Sequence, residues 1–449
     1  MHINTQTPSQ PALRQDSSHW EPSAEPGLHV RIHRGTQEIG GTCIELSCAG
    51  KRLVLDLGRP LSAGRDEVVP LPPVPGLANG DDESLLGVLI SHPHQDHWGL
   101  LDQVPESVPV FLGRDASRIL QQATFFGGLG LEREIAGHYV HRQSFTLGPF
   151  EITPYLVDHS AYDAYALLIE AGGKRLFYSG DFRAHGHKKV LFTQLLDDPP
   201  QNIDVMLMEG THVRPNIPGK AAAKPKRGLS EGALIEPMTK TFQDTDGLAL
   251  IAFSAQNIDR LITTYKAARL AGRELVLDLY SATIAHATDN PLVPQNGWPG
   301  IRVWLPQRQR VLVKNSAEFE RLNPIRHTRI FLDEIASKPQ KFVLLFRNSM
   351  IRDLERTGDL TSASLTWSLW PGYLDQASGQ WTRQFLERHK IGLVHHHSSG
   401  HAYIPDLQQF VRGLAPRVLV PVHSFAPGRF GDLFDSVDQK HDGEWWEVM

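Results

Sequence analysis

Cysteine is almost absent: Cys43 and Cys48 are the two in a chain of 449 residues. A disulfide-stapled scaffold is thereby excluded, and a reducing compartment, the cytoplasm, is the expected location. Both cysteines fall in one apparent strand at an odd separation, which places them on opposite faces and out of bonding reach of each other. Long apolar runs are missing too. No stretch approaches the roughly 20 residues that span a bilayer, and the first residues lack a secretory h-region, so no membrane partner is expected. The third absence is positive charge in excess. With 45 Lys and Arg against 50 Asp and Glu, the formal net charge is -5. No global field draws in a polyanion, so any such site must be a local patch in which metal ions are counted.

What is present is concentrated in Ser91-His92-Pro93-His94-Gln95-Asp96-His97-Trp98-Gly99. Three imidazoles and a carboxylate within six residues suit Zn²⁺. His92 and His94, two apart on an extended segment, point the same way. Asp96 and His97 are adjacent and are expected to point apart at the turn into a helix, which serves two neighbouring ions better than one. Leu85 to Ile90 reads as a buried strand, so the cluster stands at a strand's C-terminal end, where layered α/β folds build their sites.

Other strand ends deliver similar residues. His29 to His33, Cys43 to Ser47 and Arg52 to Asp56 read as strands, with Gly40-Gly41 and Gly50 at the turns. Asp56 is an acid on a buried strand, and orienting a metal-binding histidine is a common reason for one. Later apolar segments end in His159, Asp181 and Glu209. Residues 215–229 are poor in apolar side chains and carry Lys220, Lys224, Lys226 and Arg227. Alternating helix and strand patterns then resume at Glu231 to Thr241, Leu248 to Phe253, Ile258 to Leu270, Glu274 to Asp278 and Lys341 to Phe346, a second and smaller α/β unit. After it come His395-His396-His397-Ser398-Ser399-Gly400-His401 and a strand that ends in His423. The expected organisation is a disordered tail (1–27), a first part of the catalytic domain (28–210), an inserted α/β domain (211–375) and a second part (376–449).

From about residue 29 to 425 these features together resemble the β-CASP family of metallo-β-lactamase-fold nucleases, which includes ribonuclease J and the endonuclease of mRNA 3′-end processing. His92, His94, Asp96 and His97 match the HxHxDH signature, Asp56 the motif before it, and His159 and Asp181 the two after. Glu209 is similar to the acidic motif A, Ser399-Gly400-His401-Ala402 to motif B and Pro421-Val422-His423 to motif C. The resemblance implies a discontinuous α/β metallo-β-lactamase αββα sandwich with an inserted β-CASP domain. It implies two Zn²⁺ per chain, with Mn²⁺ as the alternative ion. His92, His94 and His159 would hold one ion, Asp96, His97 and His423 the other, with Asp181 between them. A di-zinc-activated hydroxide would attack a phosphodiester while His401, kept protonated by Glu209, protonates the leaving oxygen. Asp96, Asp181, Glu209 and His401 are thus the catalytic set, and Asp56 orients ligands. RNA-processing members keep a histidine at motif C, so His423 implies an RNA substrate and a ribonuclease, endo- or 5′-exonucleolytic. A DNA nuclease of the same family, or a small-molecule ester or lactone hydrolase, is the alternative. A homodimer is left open.

Plainer roles are expected elsewhere. His138, His141, His185 and His187 read as solvated, His395 and His396 as strand-end or surface residues, and Trp367 and Trp370 as core. Ser398 and Ser399 could offer donors to a phosphate or form an ordinary turn. The Lys220–Arg227 run reads as a solvated linker.

Overall fold

The computed structural model describes residues 26–449 except 65–66, 128–129, 216–225 and 359. Most of the expected tail, together with Lys220 and Lys224, lies outside the described residues.

Three sheets organise the chain. The first runs Trp445–Glu447, His29–Arg34, Cys43–Cys48, Lys51–Leu55, Leu85–Leu89, Val110–Gly113, Gly137–Tyr139 in spatial order. The second runs Val418–Val422, Val205–Glu209, Lys174–Tyr178, Ala164–Ala171, Phe150–Val157, Phe145–Leu147. Period-two alternation makes them a sandwich. Ile44, Leu46 and Cys48 face an inner core shared with Phe150, Leu167, Leu176 and Val420 of the second sheet. Cys43 faces the opposite side, against Val54, Val88 and Trp98. The two thiols are therefore on opposite faces, and both are free. Each fully buried Leu or Ile of this core contributes about 1.5–3 kcal/mol of burial free energy.

Helices cover both outer faces. Arg114–Thr124 places Ala116 and Leu120 on the first sheet. Val190–Asp197 and Ile404–Leu414 place Phe192, Leu195, Leu407 and Phe410 on the second. The result is four layers, αββα. Ile404–Leu414, Val418–Val422 and Trp445–Glu447 come from far along the chain, and Val418–Val422 pairs in parallel with Val205–Glu209.

Between these two stretches lies the third sheet, Arg329–Ile330, Ile301–Trp304, Glu274–Asp278, Phe342–Leu345, Ala249–Ala252, Ser364–Trp367, Gly392–His395. Every pairing in it is parallel. Parallel strands are covered on both faces, which explains their near-continuous apolar runs such as Phe342–Leu345. The unit extends further than residue 375. Helix Ala377–His389 packs Phe385 and Leu386 into its core, and Gly392–His395 hydrogen-bonds to Ser364–Trp367. A four-residue edge strand is too short to show a period, which is why the expected boundary falls early. The expected helix from Glu231 likewise begins as a 3₁₀ turn, and its α-helical part is Ile235–Gln243. Trp367 is core, at 5% exposure, but Trp370 is 53% exposed and corrects the expectation for it. Among the described residues no helix is long and apolar enough to cross a membrane.

Candidate metal centre

Strand ends of the sandwich converge on one point. Leu85–Leu89 leads through Ser91 to His92, Phe150–Val157 to His159, Lys174–Tyr178 to Asp181, Val205–Glu209 ends in Glu209, and Val418–Val422 leads to His423. Two of the residues at such ends, Asp56 (φ 56°) and His423 (φ 51°), are in the left-handed region. For a residue with a Cβ this costs roughly 1–2 kcal/mol, and at strand termini it re-aims the side chain inward. Gly58 has a different task. A Cβ there would lie 1.7 Å from the Asp96 carbonyl oxygen, so only glycine lets the two backbones meet.

Three groups of side chains form around Asp181. His92, His94 and His159 gather in one, Asp96, His97, Asp181 and His423 in a second, and Asp181, Glu209 and His401 in a third, with candidate ligand atoms within 4.8 Å of one another in each. Asp181 Oδ2 is the hub: it lies 3.7 Å from His92 Nε2, 3.2 Å from His97 Nε2, 3.6 Å from His423 Nε2 and 3.6 Å from His401 Nδ1. Asp96 Oδ2 is 3.8 Å from both His97 Nε2 and His423 Nε2. The neighbours Asp96 and His97, expected to point apart, therefore converge. They sit in the helical turn Gln95–Trp98, where successive side chains are about 100° apart rather than the 180° of a strand.

The donor set fits divalent cations. His97 Nε2, both carboxylate oxygens of Asp181 and His423 Nε2 are buried without a hydrogen-bond partner. Such orphans are costly unless a cation completes them. His94 Nδ1 lies 3.2 Å from His92 Nε2 and 3.1 Å from His159 Nε2. Three ring nitrogens aimed at one spot suit a shared cation better than a shared proton. Burial, reinforced by the neighbouring histidines, holds His92 and His159 well below the usual imidazole range, and it pushes His94 down to about 4. Burial also lowers His423. Neutral rings with free lone pairs are what ligation requires. At His97 burial opposes the charge, but Asp181, Asp56 and Asp96 outweigh it and raise the ring well above its ordinary value. That proton stands where a metal cation would supply the same positive charge.

The other ring nitrogens are held from behind. His97 Nδ1 donates to Asp56 Oδ2 at 2.7 Å, and the Tyr178 and Ser91 hydroxyls donate to the same oxygen at 2.6 and 2.8 Å. His159 Nδ1 donates to the Gly400 carbonyl at 2.6 Å, and His423 Nδ1 lies 3.0 Å from the Thr42 hydroxyl. Such partners fix tautomer and orientation. His401 Nδ1 lies 3.1 Å from Glu209 Oε2. Burial opposes its charge, but Glu209 and Asp181 prevail and push it up to about 9.

Some sequence expectations need correction. Ser398 is buried and its hydroxyl donates to the Leu229 carbonyl at 2.7 Å, so it is not free to meet a phosphate. The Ser399 hydroxyl is engaged by His212 Nε2 at 2.8 Å and by the His401 amide at 3.1 Å. His185 and His187 are not solvated. They bond to the Ser399 carbonyl (3.0 Å) and the Thr263 hydroxyl (2.9 Å), and burial pushes His185 down to about 4. His395 is exposed, and His396 bonds to Thr241. Sequence reasoning passed over Tyr178, His212 and Arg183. His212, three residues after Glu209, carried a signal in that spacing. Arg183 carried none, because its partners are distant in sequence.

Comparison with known proteins agrees with this geometry. The family described as Beta-lactamase superfamily domain matches residues 63–257. Ribonuclease J of Mycobacterium tuberculosis is 24% identical over 434 residues, covering 90% of this chain and 70% of that protein. An RNase J-like protein of Methanocaldococcus jannaschii is 23% identical over 346 residues, covering 72% of each. A crystal structure of a protein of unknown function from Enterococcus faecalis V583 superposes with a TM-score of 0.75 at 19% identity, over 94% of this chain and 100% of that one. A sandwich with strand-end histidines, a parallel-sheet insertion and similarity to these ribonucleases support one assignment, the β-CASP family of metallo-β-lactamase-fold nucleases.

Proposed function

We propose that this protein is a ribonuclease that hydrolyses phosphodiester bonds with two Zn²⁺ ions, Mn²⁺ being the alternative. The reading rests on one observation above the rest. His401 and Glu209 meet the metal-type groups on a shared carboxylate, Asp181. A metal cluster alone would serve esters and lactones equally well. A protonated imidazole beside it suits an alkoxide leaving group, which needs a proton. Both ribonuclease relatives support RNA as the substrate.

His92, His94 and His159 would hold one ion and Asp96, His97 and His423 the other, with Asp181 between them. Two such ions supply Lewis acidity, acidifying a water molecule and offsetting phosphate charge. The remaining work belongs to the side chains. His401 donates its Nδ1 proton to Glu209, which leaves its Nε2–H for the departing 3′-oxygen. Glu209 is itself fixed by the amides of Phe182 and Thr211, each at 3.2 Å. Asp56 holds His97 in register. A cleft of about 670 Å³ opens at Asp96 between the sandwich and the C-terminal strand ends of the third sheet, lined by Arg59, Arg308, Arg347 and Tyr280 among others. Its three arginines face Asp96 and Asp102 in the same lining, and Arg347 pairs with Asp278 at 2.8 Å, so the metal ions would carry most of the positive charge that a polyanion meets there.

Metal analysis together with cleavage of end-labelled RNA and DNA tests the proposal. The expected result is two zinc ions per chain and RNA cleavage that a chelator abolishes. Cleavage of DNA alone, or turnover of esters and lactones with every polynucleotide left intact, would overturn it.

A further inference from the structure

A second buried cluster adjoins the metal centre and is made of charges that neutralise one another. Arg183, two residues after Asp181, is buried where the sandwich meets the third-sheet unit. Its Nε donates to Asp158 at 3.2 Å, its Nη1 to Glu231 at 3.2 Å and to the Ser399 carbonyl at 3.0 Å, and its Nη2 to Asp259. Asp259 also takes Lys188 Nζ at 3.0 Å. The next residue, Arg260, donates to Glu231 at 2.8 and 3.0 Å and to the Ser398 carbonyl at 3.1 Å. Asp259 and Arg260 belong to helix Ile258–Leu270 of the third-sheet unit. Asp158 and Arg183 belong to the sandwich.

The two guanidiniums end on successive carbonyls, those of Ser398 and Ser399. The next carbonyl, that of Gly400, receives His159 Nδ1, and the next residue is His401. Gly400 packs closely here, since a Cβ on it would lie 2.4 Å from Ser160 Oγ and 3.4 Å from the His159 ring. A strip of peptide held at three successive carbonyls therefore joins a helix of the third-sheet unit to one histidine of the first metal-type group and to His401. Buried charges with planar, forked donors tolerate little displacement.

We propose that Asp259 and Arg260 are positioning residues: through Arg183 and the Ser398–Gly400 strip they set the orientation of His159 and His401. Placement of the third-sheet unit is thereby coupled to metal affinity on one side and to proton delivery on the other. The coupling to proton delivery rests on the ribonuclease reading, whereas the coupling to metal affinity does not.

The test compares the full-length chain with Asp259→Asn and with Glu45→Gln. Glu45 is an equally buried carboxylate, bonded to Arg52 at 2.8 Å and to His33 at 2.8 Å, remote from the strip. Zinc dissociation constants are read by chelator competition, kcat and KM on labelled RNA by initial rates, and folding by melting. Asp259→Asn is expected to weaken one of two zinc equivalents by about 10–100-fold, as loss of support behind a ligand does. It should lower kcat with KM little changed. Glu45→Gln should lower the melting temperature without moving either zinc constant. If Asp259→Asn does not fold, Arg183→Lys, which keeps the charge and loses the fork, is read in the same way. Wild-type zinc constants and wild-type kcat in a folded Asp259→Asn or Arg183→Lys would overturn the proposal. Weakened zinc binding with no RNA cleavage even by the wild type would sink the ribonuclease reading and leave the positioning role standing.

Discussion

Asp181 and Arg183 are two residues apart and both buried, yet their surroundings differ in kind. Arg183 directs all three of its nitrogens at oxygen acceptors. Asp181 has no hydrogen-bond partner on either oxygen and is ringed by imidazoles instead. Burying a charge is expensive in both places. Around Arg183 the chain itself supplies the compensation, three cations against three carboxylates. Around Asp181 it supplies a set of electron-pair donors that only an added cation completes. Paired donors and acceptors mark a structural joint, whereas unpaired acceptors of one kind mark a place for something the chain does not encode.

The largest effect should come from breaking the second region. Asp181→Ala or His92→Ala should reduce hydrolysis to background while melting of the metal-free protein stays near wild type. Retained activity in either variant would refute the ligand assignment. His401→Ala should come next, slowing cleavage by about 10²–10⁴-fold with both metal equivalents retained on elemental analysis. Arg183→Ala should act on the other side of the comparison. It removes the cation shared by Asp158, Glu231 and Asp259, leaving Lys188 on Asp259 and Arg260 on Glu231, and should cost about 3–5 kcal/mol in chemical denaturation. A cost below 1 kcal/mol would mean that water reaches the joint. The smallest effect is one of pH. His401 must hold its proton to act as an acid, and its raised pKa keeps it protonated as the pH rises. Glu209→Gln removes its strongest raising partner, so the alkaline fall of kcat should move to lower pH. An unmoved alkaline limb would assign that limb to another group.

Much of the metal-type cluster was legible in the sequence, because its residues stand at the ends of strands whose apolar cores are short, continuous and easy to see. His159, Asp181 and His423 follow such cores directly. The joint was not legible. Arg183 meets Asp259 and Ser399 across 76 and 216 residues, and a lone arginine after an aspartate carries no periodic signal. His185 and His187 looked solvated for the same reason, since their contacts with the distant Ser399 carbonyl and Thr263 hydroxyl leave no local mark. Gly392–His395 was placed with the second part of the catalytic domain because its pairing with Ser364–Trp367 leaves no mark in its own residues. Trp370 shows the reverse error: its residue type suggested core, but its loop leaves it exposed.

The pairing of Val418–Val422 beside Val205–Glu209 has a consequence for how the protein comes into being. His423 is delivered by nearly the last strand in the chain, and everything in the third sheet is synthesised before it. A ribosome-bound or truncated chain lacking that strand can carry His92, His94 and His159 but cannot complete the group around His97. The proposed metal centre is therefore assembled only after Val418–Val422 has docked beside Val205–Glu209, with the whole third sheet already synthesised between them.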